Sequence, residues 1–222
     1  MEKNTSGELS LFSIADAARI AGCAADMFPQ RAARAATFRR PEDRLRSIAA
    51  GALLFLSDIP EEEILYTGAG KPYAPGRRHF SLSHSGEYAA LAVCDVPVGA
   101  DLEQLAGNRR GAILRAMTEE EKQYLAGAPD AAFFTLWTLK EGLSKAIGAG
   151  LSLGFSSFSA LPMTEERPVT VGGKTFFGRI FSLPGYALAA VSEGKPCEFS
   201  LRILTAGDVF KKLSGKNILH KK

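Results

Sequence analysis

The feature that most constrains the fold is an internal echo. Phe80-Ser81-Leu82, followed by Gly86, Tyr88, Ala89, Leu91, Ala92 and Val93, returns as Phe181-Ser182-Leu183, followed by Gly185, Tyr186, Ala187, Leu188, Ala190 and Val191. In both copies a further strand candidate follows a proline, Pro97 in the first and Pro196 in the second. Short apolar stretches at 79–83, 88–94 and 98–102, separated by Ser85-Gly86 and by Asp95-Val96-Pro97, have the pattern of an antiparallel meander. A repeat spaced by about a hundred residues implies two related half-domains, each a small sheet packed with helices.

The expected fold class is therefore α/β (α+β), a pseudo-twofold monomer of two similar halves, each a small antiparallel sheet covered by helices. Residues 1–100 are expected to form the N-terminal half and 101–222 the C-terminal half, with a ligand cleft between them. Residues 10–25 and 43–56 carry apolar side chains at helical spacing, and Pro41 with Glu42 and Asp43 makes a good opening for the second helix. Residues 118–125 and 131–147 read as helices between the two copies, with Thr118 and Glu121 spaced as a capping box. Gly148-Ala149-Gly150 follows a helix and reads as its end, and 211–222 reads as a solvated or frayed basic tail.

Composition narrows the partners. A chain of 222 residues buries about three-quarters of its unfolded surface and needs no disulfide or structural metal to fold. The net charge is only +3, from 27 basic and 24 acidic residues, so nothing demands nucleic acid or another polyanion across the whole surface. No apolar run is long enough to cross a bilayer and the first residues lack a basic segment before an apolar one, which points to a cytoplasmic protein. Cys23, Cys94 and Cys197 are odd in number, widely separated and outside any CxxC, and are expected to be reduced thiols.

Chemistry concentrates in two segments. If Val98-Gly99-Ala100-Asp101-Leu102-Glu103 is a strand, Asp101 and Glu103 share one face while Ala100 and Leu102 point into the core. Taken alone, this is equally the polar face of an amphipathic strand meeting water. On the helix beyond, Trp137, Glu141 and Lys145 are successive i, i+4 neighbours, a stripe that a surface ion pair would also explain. Three carboxylates without nearby thiols or paired imidazoles form a hard oxygen set, suited to Mg²⁺ with substrate phosphates completing its shell. Phosphate-binding groups are at hand in Arg31, Arg34, Arg39, Arg40 and Arg46, in Lys71, and in Ser83-His84. Ser83 and Ser85 have no GxSxG surround, which argues against a serine hydrolase.

Four stretches together resemble the Sfp-type 4′-phosphopantetheinyl transferases: Gly70-Lys71-Pro72-Tyr73; Phe80-Ser81-Leu82-Ser83-His84-Ser85-Gly86; Val98-Gly99-Ala100-Asp101-Leu102-Glu103; and Leu136-Trp137-Thr138-Leu139-Lys140-Glu141 through Lys145 into Gly150-Leu151-Ser152-Leu153. They stand in the family's order over roughly residues 70 to 158. Ala100 departs from the family's preference for a branched aliphatic residue there. The resemblance implies that the phosphopantetheine arm of coenzyme A is moved onto a serine of an apo carrier protein of acyl, polyketide or peptidyl type, releasing 3′,5′-ADP. It implies Mg²⁺ held by Asp101, Glu103 and Glu141. It also implies contacts from Arg31, Arg34, Arg46, Lys71, Ser83, His84 and Lys145 to coenzyme A.

Within that scheme Glu141 is the expected general base and Lys145 the group that neutralises the departing phosphate. Trp137, Lys140 and Glu121 are expected to support the site. A carrier, acidic around its serine, is expected to dock near residues 109–125, where Arg109, Arg110 and Arg115 supply charge. A Mg-dependent hydrolase of coenzyme A or another pyrophosphate, and a non-catalytic coenzyme A binding module, are the rival readings. Carrier-independent release of phosphopantetheine marks the first, and binding without turnover the second.

Overall fold

A computed structural model of the chain describes residues 5–106, 110–148 and 154–219. Strand β1 (Thr5–Ser13) leads into a helical segment made of α1 (Ile14–Ile20), α2 (Ala24–Met27), α3 (Pro29–Thr37) and α4 (Pro41–Leu56). A small hairpin of β2 (Leu65–Tyr66) and β3 (Pro72–Tyr73) precedes β4 (His79–Ser85), β5 (Tyr88–Cys94) and β6 (Val98–Gln104). Three helices follow, α5 (Arg110–Arg115), α6 (Glu119–Leu125) and α7 (Asp130–Ile147). Then come β7 (Val169–Val171), β8 (Lys174–Leu183), β9 (Tyr186–Glu193), β10 (Cys197–Leu204) and α8 (Ala206–Leu219).

The strands form two four-stranded sheets, ordered β10-β1-β5-β4 and β6-β9-β8-β7. The two echoed segments are the hairpins β4–β5 and β8–β9, each turned at a glycine in the left-handed region, Gly86 and Gly185. The strand after each proline does not stay with its own hairpin. β6 crosses to pair with β9, register Asp101 opposite Ala189, and β10 returns to the first sheet beside β1. There β1 lies between β10, which runs parallel to it, and β5, which runs antiparallel.

The strand β1 corrects the expectation of a helix over residues 10–25. Leu9 and Leu11 face the core between the sheets, whereas Phe12 faces the core under the helices. Burial on both faces puts apolar residues close together in sequence, and that density looks like helical spacing. The helix starts only at Ile14, where the Ser13 hydroxyl accepts a hydrogen bond from Asp16 N at 3.0 Å. The expected capping box at Thr118 and Glu121 is present with both of its bonds.

Residues 211–219 are helical, the second part of α8, with Lys211, Ser214 and Gly215 exposed to solvent as expected. Ala206, Val209 and Leu213, spaced three and four apart, lay an apolar stripe against the α1–α4 core, and Lys212 donates to Leu56 O at 3.2 Å and to Asp58 at 2.6 Å.

Candidate active site

The two sheets meet edge to edge through side chains. Ser81, Ser83 and Ser85 alternate along one face of β4, and their hydroxyls accept from Ala100 N at 3.0 Å, Leu102 N at 3.4 Å and Gln104 N at 3.0 Å. Three serines with period two thus supply the partners that an adjacent strand's carbonyls would have supplied. The same hydroxyls reach the acids of β6. Ser83 donates to Asp101 Oδ1 at 2.7 Å and Ser85 donates to Glu103 Oε2 at 3.1 Å.

Helix α7 closes the site from the other side because it lies almost on the backbone of β6. A Cβ on Gly99 would collide with Gly142 O and Ala146 N, so only glycine permits this approach. The helix then delivers its stripe to the acids. Trp137 Nε1 donates to Glu103 Oε1 at 3.3 Å, and Lys145 Nζ donates to Asp101 Oδ1 at 2.6 Å and to Ser83 Oγ at 3.2 Å. Trp137 itself stacks on Phe155 with ring centroids 5.1 Å apart. Lys145 is partnered by the carboxylate of β6, a contact that its spacing from Glu141 did not suggest.

Asp101 is 5% exposed, and its second oxygen, Oδ2, is buried with no hydrogen-bond partner among the described residues. A buried carboxylate oxygen left open in this way is a costly arrangement without a donor or cation to complete it. With Glu103 on the same strand face and Glu141 on α7, the donor set is one of hard oxygens, which fits a magnesium-type ion. Among the described residues no group of three acidic, histidine or cysteine side chains is gathered as a preformed ligand cluster.

A cleft of about 270 Å³ runs past this point, lined by Gly70, Lys71, Ser81, Leu82, Glu141, Ser144, Lys145 and Phe155. It brings Lys71 from the β2–β3 hairpin together with Glu141 and Lys145 of α7. Lys71 Nζ donates to Ala146 O at 2.7 Å, near the carbonyl end of α7, where the helix dipole favours a cation. Burial nevertheless lowers the Lys71 ammonium pKa to about 8, with Glu193 opposing and Lys174 adding to the fall. The His84 pKa is lowered by desolvation first, then by the charges of Arg46 and Lys145, with Asp43 opposing.

The remaining candidates separate. Arg46 stands near His84, donating to Gly86 O at 3.0 Å and to Asp43 at 2.7 Å. Arg31 is engaged by Glu61 at 3.2 Å in a mostly buried pair, and Arg34 lies over the Phe38 ring. Lys140 and Glu121 are fully buried together. Lys140 Nζ donates to Glu121 at 2.6 Å and to Phe158 O at 2.6 Å, and Glu121 also accepts from Thr118 N and Ala160 N at 2.8 Å each. That network fastens α6 and residues 158–160 to α7. Arg109 and the segment Ala149 to Leu153 lie outside the described residues, of Arg110 only the backbone is described, and Arg115 ends α5. Sequence reasoning missed Ser81 and Ser85 as partners of β6, although three alternating serines on one strand were the visible signal.

Two lobes built on the same hairpin, with Asp101 of β6 paired to Lys145 of α7 beside a cleft, make an α+β protein with a charged site between its sheets. The family described as the 4′-phosphopantetheinyl transferase superfamily matches residues 97–191, the stretch from β6 to β9. A 4′-phosphopantetheinyl transferase of Bacillus pumilus is 32% identical over 176 residues, covering 70% of this chain and 72% of that protein. One from Aneurinibacillus migulanus is 34% identical over 112 residues, 48% of this chain and 47% of that protein. An L-aminoadipate-semialdehyde dehydrogenase-phosphopantetheinyl transferase of Xenopus laevis is 31% identical over 174 residues, 65% of this chain and 57% of that protein. The chain belongs to the 4′-phosphopantetheinyl transferase superfamily.

Proposed function

We propose that this transferase moves the phosphopantetheine arm of coenzyme A onto the serine of an apo carrier protein at the cleft between β4, β6 and α7. The Asp101 carboxylate carries the reading: one oxygen is fixed by Ser83 and Lys145, while the other is buried with no hydrogen-bond partner among the described residues, which a bound cation would supply. Asp101, Glu103 and Glu141 would hold Mg²⁺, which when bound neutralises the pyrophosphate charge and favours displacement at phosphorus. In this division of labour residues 1–100 supply the coenzyme contacts and residues 101–222 the metal and catalytic groups.

The chain's own groups do the rest. Lys71, Ser83, His84, Arg46 and Lys145, with Arg31 and Arg34 of α3, would contact the coenzyme. Glu141 accepts the proton of the attacking serine hydroxyl, directly or through a water. Lys145 lies one turn further along α7 and already neutralises Asp101. It is placed to pass its positive charge to the departing phosphate as the 3′,5′-ADP leaves. Trp137 and Ser85 fix Glu103 in the orientation needed. Lys140 and Glu121 act at a distance by holding α7 in place. The enzyme works as a cytoplasmic monomer, and its carrier docks on the α5–α6 face beside Arg115. No helix among the described residues is long and apolar enough to cross a membrane.

The test is transfer of a labelled pantetheine arm to an apo acyl carrier protein, read as the carrier's mass shift. Asp101→Ala should lower the rate roughly 100-fold or more while its unfolding transition stays cooperative. Full activity in a folded Asp101→Ala protein removes the proposed centre.

A further inference from the structure

Cys94 and Cys197 stand 103 positions apart in sequence, yet their sulfurs are 2.8 Å apart in the core between the sheets. Neither belongs to the cleft. Cys94 is the last residue of β5 and Cys197 the first of β10, the two strands that flank β1 on opposite sides. Side chains on strands separated by a third strand are normally kept apart by whatever that strand puts between them. Here β1 puts Gly7, paired with Cys94 on one side and with Phe199 on the other. A Cβ at position 7 would come within 2.6 Å of Cys197 Sγ and of the Phe199 ring. The glycine is what lets the two thiols meet over the middle strand.

We propose that Cys94 and Cys197 form a reversible disulfide, stapling β10 to β5 across β1 under oxidation by a hydroperoxide. A sulfur separation of 2.8 Å is well inside non-bonded contact and less than 1 Å from the roughly 2.05 Å of a covalent bridge. The hydrogen bond the two thiols share, in which either can donate, lowers the Cys94 thiol pKa and raises that of Cys197, so Cys94 is the more readily ionised of the two. Both cysteines are buried, but the residue after Cys94 is Asp95, which sits at the surface in a pair with Arg78 at 2.7 Å. Cys23, on the far side of the helical core, has no such neighbour among the cysteines.

The chemistry balances with hydrogen peroxide as oxidant. Cys94 sulfur attacks one peroxide oxygen, the O–O bond breaks, and a sulfenic acid and one water result. Cys197 sulfur then attacks Cys94 sulfur, the S–O bond breaks, and the thiol proton leaves with hydroxide as a second water. Two thiols lose two electrons and the peroxide gains them. A dithiol reductant reverses the sum.

The experiment exposes the full-length protein to hydrogen peroxide, denatures it in an alkylating reagent, and reads intact mass and peptide map. Alkylatable thiols should fall from three per chain to one, with a peptide joining Cys94 to Cys197, and dithiothreitol should restore all three. The oxidised form should also melt at a higher temperature than the reduced form, because the bridge closes a long loop. Three thiols surviving, a bridge that includes Cys23, or Cys94 carried to sulfinic acid with Cys197 free would each overturn the proposal. None of these outcomes depends on transfer activity.

Discussion

Lys71 shows how one side chain can carry opposite pH signatures. Its ammonium is held in the fold by Ala146 O, but burial brings its pKa to about 8, below its ordinary value of 10.5. Between those values the folded lysine has shed its proton while the unfolded one keeps it, so the free protein should gain stability as pH rises through about 8. Coenzyme phosphates need the charged form, so affinity should fall over the same range. Calorimetric binding and urea unfolding on either side of that pH should move in opposite directions, and Lys71→Met should flatten both. Parallel trends would remove Lys71 from the coenzyme path. Lys140 behaves differently because its partner is as buried as itself. Lys140→Met leaves the Glu121 carboxylate without its cation and should cost about 3–5 kcal/mol in denaturant unfolding. A loss within error of zero would mean that Glu121 is satisfied by its backbone donors alone.

At the scale of elements the decisive contact is α7 lying against β6 with no side chain between Gly99 and Gly142. Gly99→Ala places a methyl against backbone, which cannot rotate away, so α7 must move and take Glu141 and Lys145 with it. The expected loss is about 1–3 kcal/mol of stability. A fall in kcat/KM beyond what partial unfolding explains should accompany it, measured by carrier mass shift on the folded fraction. Normal turnover in a destabilised Gly99→Ala protein would show that the site tolerates a displaced helix. Much at this scale was legible in the sequence: the hairpins β4–β5 and β8–β9, the helices α4, α6 and α7, the capping box at Thr118, and Asp101 and Glu103 on one face. What was not legible depends on the other end of the chain. β1 looked helical because it is buried on both faces, and its second neighbour, β10, lies 190 positions or so further on. The serine ladder was hidden for a related reason, since the receiving strand, β6, had every local reason to stay with its own hairpin.

The whole molecule is held by the exchange of those third strands. β10 and α8 complete the first sheet and its helical core, with Leu204, Ala206 and Val209 buried there. Ending the chain before Cys197 should therefore abolish folding, not merely trim a basic end, and circular dichroism with a thermal scan would read this directly. A soluble truncated protein with a sharp transition would contradict that role for β10. Cys94 and Cys197 teach the same lesson about legibility, because two residues that look solitary in the sequence become neighbours only when β10 comes home to β1. The exchange also limits how the cleft can work. Each lobe contains a strand that the other lobe's hairpin leads into, and serine hydroxyls knit their facing edges, so the halves cannot swing apart like a clam without breaking the serine hydrogen bonds and opening the core between the sheets. Room for a bulky protein partner must then be found in side chains and connecting segments around a rigid frame. Amides of β6 and β9 should stay protected from hydrogen exchange whether or not coenzyme is bound.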